Sequence, residues 1–220
     1  MHTVPDWIEE YAEAIGPGPD DVIAEMDAYA DREGFPTVGP AVGGWLEVLA
    51  TMVDARRIFE FGSGYGYSAY WFARALPENG EVILTEIDAG ELELAREYLE
   101  RSDFASSFIY EHGDALDIVG QYDGPFDVVL IDNEKTRYDE AFERVREKVA
   151  PGGLVVADNA IAGGSIDATA VRELLTGERT SADGMSEGIA SFVESLKTDS
   201  AFEPSLLPVG EGVIVAVRTD

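Results

Sequence analysis

RIFEFGSGYG, residues 57–66, decides how this chain is read. Five residues rich in β-branched and aromatic side chains run straight into glycines at alternate positions, Gly62, Gly64 and Gly66. A helical pattern then follows from Ser68 to Leu76. A strand that turns through glycines into a helix lets backbone approach a ligand and presents the free N–H groups of the helix start. The spacing is G-x-G-x-G, which differs from the G-x-G-x-x-G of dinucleotide sites. Glu60 points into the turn, where a carboxylate repels a pyrophosphate and attracts an ammonium.

Outward from this turn the texture is regular. EVILTEI, SSFIYEH, FDVVLID and GGLVVAD are short, nearly continuous apolar runs that read as buried strands. They alternate with helical stretches at Ala89 to Arg101 and Thr136 to Val149, the latter with a Thr136-x-x-Asp139 start resembling a capping box. The fold class expected is α/β: a Rossmann-like, doubly wound, mostly parallel sheet of about seven strands. LLPVGEGVIVAVR closes the chain as an antiparallel hairpin around Gly210-Glu211-Gly212. Before residue 56, apolar residues recur at helical spacing in Pro5 to Ile15, Asp20 to Arg32 and Ala41 to Val53. One domain is expected over 1–220. N-terminal helices fill 1–55, a ligand-binding core 56–160, a variable acceptor loop 161–190 without firm pattern, and a last helix with the hairpin 191–220.

The 220 residues carry 44 Asp and Glu against 15 Lys and Arg, a net charge of −29. The acids are spread over every segment, which reads as whole-surface solvation in concentrated salt and suggests an extreme halophile. Phosphate contacts need clustered cations, so nucleic acid is not an expected partner. With no cysteine, disulfides, thiolate metal sites and cysteine nucleophiles are excluded. No apolar run approaches the ~20 residues that span a bilayer, and the start lacks the pattern of a secretory signal; a cytoplasmic protein is expected.

Three oxygen-bearing side chains follow two of the strands: Asp132 after FDVVLI, and Asp158 and Asn159 after GGLVVA. Such strand ends line the ligand crevice of an open α/β sheet, and two carboxylates with an amide suit a hard divalent cation. Helix capping is the competing role for each acid taken alone. Glu86 ends the second strand, where an acid can accept both hydroxyls of a ribose. An ammonium-seeking glycine turn beside a nucleoside acid fits S-adenosylmethionine. The chain has three lysines, and one of them, Lys135, sits in IDNEKTRY between Asp132, Glu134 and Asp139. Arginine would balance charge there but does not readily give up a proton. His2 and His112 have no catalytic context, and no Ser/His/Asp arrangement is evident.

With these residues in hand, the chain resembles the class I S-adenosylmethionine-dependent methyltransferases, and among them the cation-dependent O-methyltransferases of the catechol and caffeoyl-CoA type. The resemblance rests on VGPAVG, FEFGSGYGYSAYWFA, TEID, GDALD, FDVVLIDNEKTRY, GGLVVADNAIAGG and LLPVGEGVIVAVR, in that order. It implies that Glu60, Gly62, Ser63 and Gly66 hold the methionine part of S-adenosylmethionine, with Ser68 and the backbone near Val38 on its carboxylate. It implies Glu86 for the ribose, Ile87 with Asp114 and Ala115 for the adenine, and Asp132 shared between donor and metal. Asp132, Asp158 and Asn159 would ligate Mg²⁺, or another divalent cation such as Mn²⁺ or Ca²⁺, and Lys135 would be the general base.

The resemblance further implies a small aromatic vicinal diol as methyl acceptor and a homodimer, with the N-terminal helices as contacts. Glu134 departs from the pattern, since animal catechol enzymes carry a bulky aromatic there; it is the residue expected to bear on acceptor preference. A tRNA hydroxyuridine methyltransferase, a nicotinamide-dependent oxidoreductase and an inactive binding protein are the competing functions. The acidic surface, the glycine spacing and the full set of chemical groups, respectively, speak against them.

Overall fold

The computed structural model describes residues 4–220, so His2 lies outside the described residues. Three helices come first: α1 (Asp6–Ile15), α2 (Asp21–Glu33) and α3 (Gly39–Met52). Asp20 starts α2 by accepting from the backbone N–H of Val22 and Ile23, both at 3.0 Å, and Gly34 ends it in the left-handed region. Strand and helix then alternate: β1 (Arg57–Phe61), α4 (Tyr67–Ala75), β2 (Glu81–Glu86), α5 (Ala89–Glu100), β3 (Ser107–His112), the short α6 (Ala115–Ile118), β4 (Phe126–Ile131), α7 (Tyr138–Val145) and β5 (Val149–Ala157). The chain closes with α8 (Ala168–Thr176), α9 (Gly184–Thr198), β6 (Phe202–Leu207) and β7 (Val213–Arg218).

The seven strands form one sheet in the order β3-β2-β1-β4-β5-β7-β6. β1 to β5 are parallel, and β7 runs antiparallel to both β5 and β6. The expected doubly wound sheet with a terminal hairpin is therefore present. Alternate residues of each strand serve opposite faces. Ile58, Val82, Leu84, Val128, Leu130, Leu154 and Val156 pack under α2 to α5, around Trp71 and Tyr70. Phe59, Phe61, Ile83, Val129, Ile131, Val155 and Ala157 pack under α6 to α9, around Phe142 and Phe192. Both faces being covered explains why these strands read as continuous apolar runs. Each fully buried side chain of this kind stabilises the fold by ~1.5–3 kcal/mol. Asp127, the polar exception within β4, accepts from the backbone N–H of Arg56 at 2.8 Å and Arg57 at 2.9 Å and so anchors the start of β1.

Two expectations are corrected. Residues 161–190 are not a patternless loop: they contain α8 and the start of α9. Asp167 caps α8 by accepting from Thr169 N at 2.9 Å, and Gly177 ends it with φ 75°. Asp183 caps α9, accepting from Met185 N and Ser186 N, both at 3.1 Å, and it also takes the hydroxyl of Ser165 at 2.9 Å. These bonds fold the connection onto α9. The capping box at Thr136 does not form, because Thr136 Oγ1 donates to Glu134 at 2.7 Å and Lys135–Arg137 is a separate 3-10 turn ahead of α7.

Candidate active site

The strand order reverses direction beside β1, and β1 and β4 end there side by side. Asp132 N donates to Phe61 O at 3.0 Å, which holds the two strand ends together. Gly62 follows with φ 82°, and a Cβ at this position would lie 2.7 Å from the carbonyl oxygen of Asp132. The glycine is required twice, by its backbone conformation and by that approach.

Two adjoining cavities open over these strand ends. One, of about 340 Å³, is lined by Val38, Gly62, Ser63, Ser68, Glu86, Asp132, Lys135, Asp158 and Asn159, with Phe35, Met185 and Glu211 among its further walls. The second, of about 360 Å³, is lined by Gly62, Glu86, Ile87, Asp114, Ala115, Asp132, Glu134 and Arg137. Gly62, Glu86 and Asp132 belong to both and mark the divide. The cavities thus bring together most of the residues expected at the site, from six separate segments of chain.

Two expected residues line neither cavity: Gly66, which at φ 85° packs against Ala95 of α5, and Glu60, which is set back. It is fully buried in β1, and neither carboxylate oxygen has a hydrogen-bond partner. Ser63 and Ser68 are the polar groups beside it and form the cavity wall. Burial pushes its carboxyl up to about 8; the charge of Asp132 adds to this and the Ser68 and Ser63 hydroxyls oppose it. A buried, unpartnered acid of this kind suits a ligand that brings a positive charge.

Glu86 is more committed than expected. Its oxygens accept from Gly64 N at 2.9 Å, Ile87 N at 2.8 Å and Asp88 N at 3.0 Å. A carboxylate offers about four acceptor sites. One ribose hydroxyl can therefore be added freely, and a second has to displace a backbone donor. Next to it, Ile87 is 74% exposed, an apolar side chain on the rim of the second cavity with no protein covering it. Asp114 caps α6 through Leu116 N at 3.0 Å and pairs with Arg137 at 2.7 Å. That guanidinium holds its carboxyl below the usual range. Glu134 lines this second cavity, with Ile87 and Asp114, and not the first. His112 Nε2 lies 3.1 Å from Ile87 O at the end of β3, outside both cavities.

Lys135 donates to Asp132 Oδ1 at 2.7 Å and to Tyr138 Oη at 2.8 Å, with its side chain 17% exposed. The Tyr138 hydroxyl also lies 3.3 Å from the Asp158 carbonyl oxygen. Burial, then the charges of Asp132 and Asp158, push its pKa well above the usual range, so it stays protonated. Asp158 is almost fully buried, and its Oδ1 has no partner. Burial followed by the Asp132 charge raises its pKa; Asp132 is itself raised by burial, against the pull of Lys135. Asn159 stands in the left-handed region with φ 63°. Among the described residues no cluster of three or more acidic or histidine side chains is placed as a metal site; the set here is two carboxylates and an amide. A buried carboxylate oxygen without a partner, beside a second acid and one ammonium, fits a cation.

The sequence reading missed Phe35, Met185, Glu211 and Arg137. Three of these lie far from the glycine turn in the chain, and only the folding of α2, α9 and the hairpin brings them to the cavities. Arg137 was within reach, being two residues beyond Lys135 on the same turn.

Comparison with known proteins shows the family. Residues 25–219 match the family model described as O-methyltransferase. The chain is 35% identical over 161 residues to the catechol O-methyltransferase of Niastella koreensis, covering 70% of this chain and 72% of that one. It is 29% identical over 182 residues to caffeoyl-CoA O-methyltransferase 3 of Nicotiana tabacum, covering 80% and 74%. Among solved structures, an O-methyltransferase from Bacillus cereus in complex with SAH superposes with a TM-score of 0.79 at 26% identity, over 97% of each chain. The O-methyltransferase TomG from Streptomyces achromogenes, in complex with SAM, superposes with a TM-score of 0.80 at 26% identity, over 97% and 96%. The chain belongs to the O-methyltransferase family and is an S-adenosylmethionine-dependent enzyme of that class.

Proposed function

We propose that this enzyme methylates one hydroxyl of a small aromatic vicinal diol, with a divalent cation held by Asp132, Asp158 and Asn159 and with Lys135 as general base. The observation that carries this reading is the unpartnered Oδ1 of buried Asp158 in a cavity shared with Asp132, Asn159 and Lys135. S-adenosylmethionine, when bound, supplies a methyl group on a sulfonium; a divalent cation, when bound, favours the ionised form of an acceptor hydroxyl.

The chain's own residues do the rest. Ser63, Ser68, the glycine turn and the backbone at Val38 line the space for the methionine part, with Glu60 behind them for its ammonium. Glu86 takes a ribose hydroxyl, and Ile87 with Asp114 and Ala115 borders the base. Lys135, as the neutral amine, accepts the acceptor's proton at Nζ and becomes the ammonium, and Asp132 and Tyr138 hold that nitrogen in place. Phe35, Met185 and the Gly163-Gly164 backbone wall the acceptor side and exclude water. Fixing nucleophile and methyl group in one geometry supplies much of the acceleration.

Two further readings accompany this one. Trp7, Tyr11 and Ile15 form a stripe along α1 at 64%, 62% and 70% exposure, and Met52 at the end of α3 is 72% exposed. This apolar surface on an otherwise acidic chain supports a homodimer joined through the N-terminal helices. The net charge of −29 supports work in a salt-rich cytoplasm. Among the described residues no helix is long and apolar enough to cross a membrane.

The test is a panel of catechol, dihydroxybenzoate and caffeate acceptors, assayed with native enzyme, metal-stripped enzyme and Lys135→Ala. Methyl transfer to the diols by native enzyme alone is expected. Full turnover in EDTA would end the metal reading. Sedimentation in KCl checks the dimer, where a monomer at all concentrations would refute it.

A further inference from the structure

Glu211, in the turn between β6 and β7, lines the first cavity and has no part in the chemistry above. Its backbone is tied to the segment after β5: Ile161 N and Ala162 N donate to Glu211 O at 2.8 and 3.0 Å, and Ala160 N donates to Gly212 O at 2.8 Å. Its side chain accepts a hydrogen bond from Asn159 Nδ2. Gly163 lies against this pair with φ 111°, and a Cβ there would come 2.7 Å from Asn159 Nδ2 and 2.7 Å from Glu211 Oε2. The chain thus leaves out a side chain at the place where one would break the contact.

The chemistry of the amide gives the contact a purpose. Asn159 ends in an oxygen that can hold a cation and a nitrogen that cannot, and the two differ only by a half-turn of the side chain. Asp132 and Asp158 are acceptors when ionised and would draw the N–H₂ end inward if nothing else claimed it. A carboxylate on Nδ2 removes that choice and leaves Oδ1 as the free end. Building on the metal reading above, we propose that Glu211 is a positioning residue that sets the orientation of the Asn159 amide for a divalent cation, with Gly163 making room for the pair.

The experiment measures Mn²⁺ binding by electron paramagnetic resonance, in the presence of S-adenosylhomocysteine and without acceptor or turnover. Glu211→Ala is expected to lose roughly 10–100-fold in Mn²⁺ affinity, as removal of outer partners of metal ligands does. Gly163→Ala should lose affinity with it. Glu211→Gln, which keeps an oxygen for Nδ2, should recover most of the loss. In an Asn159→Asp background there is no amide to orient, so adding Glu211→Ala should cause no further loss. Thermal unfolding in EDTA identifies variants that fail to fold, and the Asn159→Asp pair stands independently of the hairpin's own stability. Wild-type affinity in Glu211→Ala would overturn the role. So would Glu211→Gln as weak as Glu211→Ala, which would make the charge and not the hydrogen bond responsible. Absence of Mn²⁺ binding by the wild type would overturn the metal reading itself, and this role with it.

Discussion

Lys135 and Asp132 are joined at 2.7 Å across a single turn, and Tyr138 closes the arrangement at 2.8 Å from the same nitrogen. Two N–H bonds of this nitrogen are spent on Asp132 and Tyr138, so in the neutral amine its lone pair and last N–H are left for a substrate proton. Lys135→Ala is expected to lower kcat by ~10²–10⁴-fold, the range for removal of a general base. Lys135→Arg keeps the ion pair but holds its proton, and it should be equally impaired. Calorimetric affinity for S-adenosylhomocysteine should be unchanged in both, and a kcat near wild type in either would exclude Lys135 as the base.

Metal removal should act on stability as well as on rate. The Asp158 carboxylate has an unpartnered buried oxygen, and Asp132 raises its pKa further. A dication bound there stabilises only the folded chain, by about 2.7 kcal/mol at a concentration 100 times its Kd. The unfolding midpoint should therefore rise with added Mg²⁺ or Mn²⁺ and fall in EDTA. An Asp158→Ala variant should show neither shift.

Glu60 predicts a pH dependence of definite sign. Its folded pKa, about 8, lies above the usual 4.5, so the folded state holds the proton more tightly. The stability this contributes is complete below about 4.5 and is lost as pH rises to about 8. Ligand-free enzyme in EDTA should lose stability across that window, and Glu60→Gln should flatten the loss. Binding an ammonium beside the carboxyl ionises it, so S-adenosylhomocysteine should release a proton near neutral pH. Calorimetry in buffers of different ionisation heat would detect this. Glu60→Gln should abolish the release and weaken binding by roughly 10–100-fold, the worth of one charged hydrogen bond.

Glu134 and Met185 stand in different cavities. Glu134 lines the cavity with Ile87 and Asp114, whereas Met185 lines the one with Lys135 and Asp158. Glu134→Ala should change the KM for S-adenosylmethionine and leave that for the acceptor alone, and Met185→Ala should do the reverse. Steady-state kinetics on both variants decides this; an altered acceptor KM in Glu134→Ala would return that residue to the acceptor side.

Salt should stabilise the fold. With 44 acids and 15 bases, self-repulsion reaches ~30 Å in 0.01 M salt and ~3 Å at 1 M. The unfolding midpoint and activity should rise together from dilute buffer to molar KCl. Unfolding above molar KCl, with full activity in dilute buffer, would contradict the halophilic reading.

Local sequence determined much of this protein. The apolar runs from β1 to β5, the glycines at 62, 64 and 66 and the acids after β4 and β5 declare the sheet and its ligand-bearing edge, because each is a short-range pattern. The family resemblance added the expectation that Lys135 is the general base. The helices within 161–190 were also legible in principle, since Asp167, Gly177 and Asp183 are ordinary start and stop signals. They were obscured because α8 is short and lies amid Gly, Ser and Asp. Only the tertiary structure decided how deep each group sits and what it already holds. Glu60 lies behind the wall and Glu86 is mostly spent on backbone; Glu134 lines the cavity of Ile87 and Asp114, while Glu211 reaches Asn159 from 52 residues away. Burial and hydrogen-bond partnership depend on segments that meet only after the sheet has closed, and no local pattern records them.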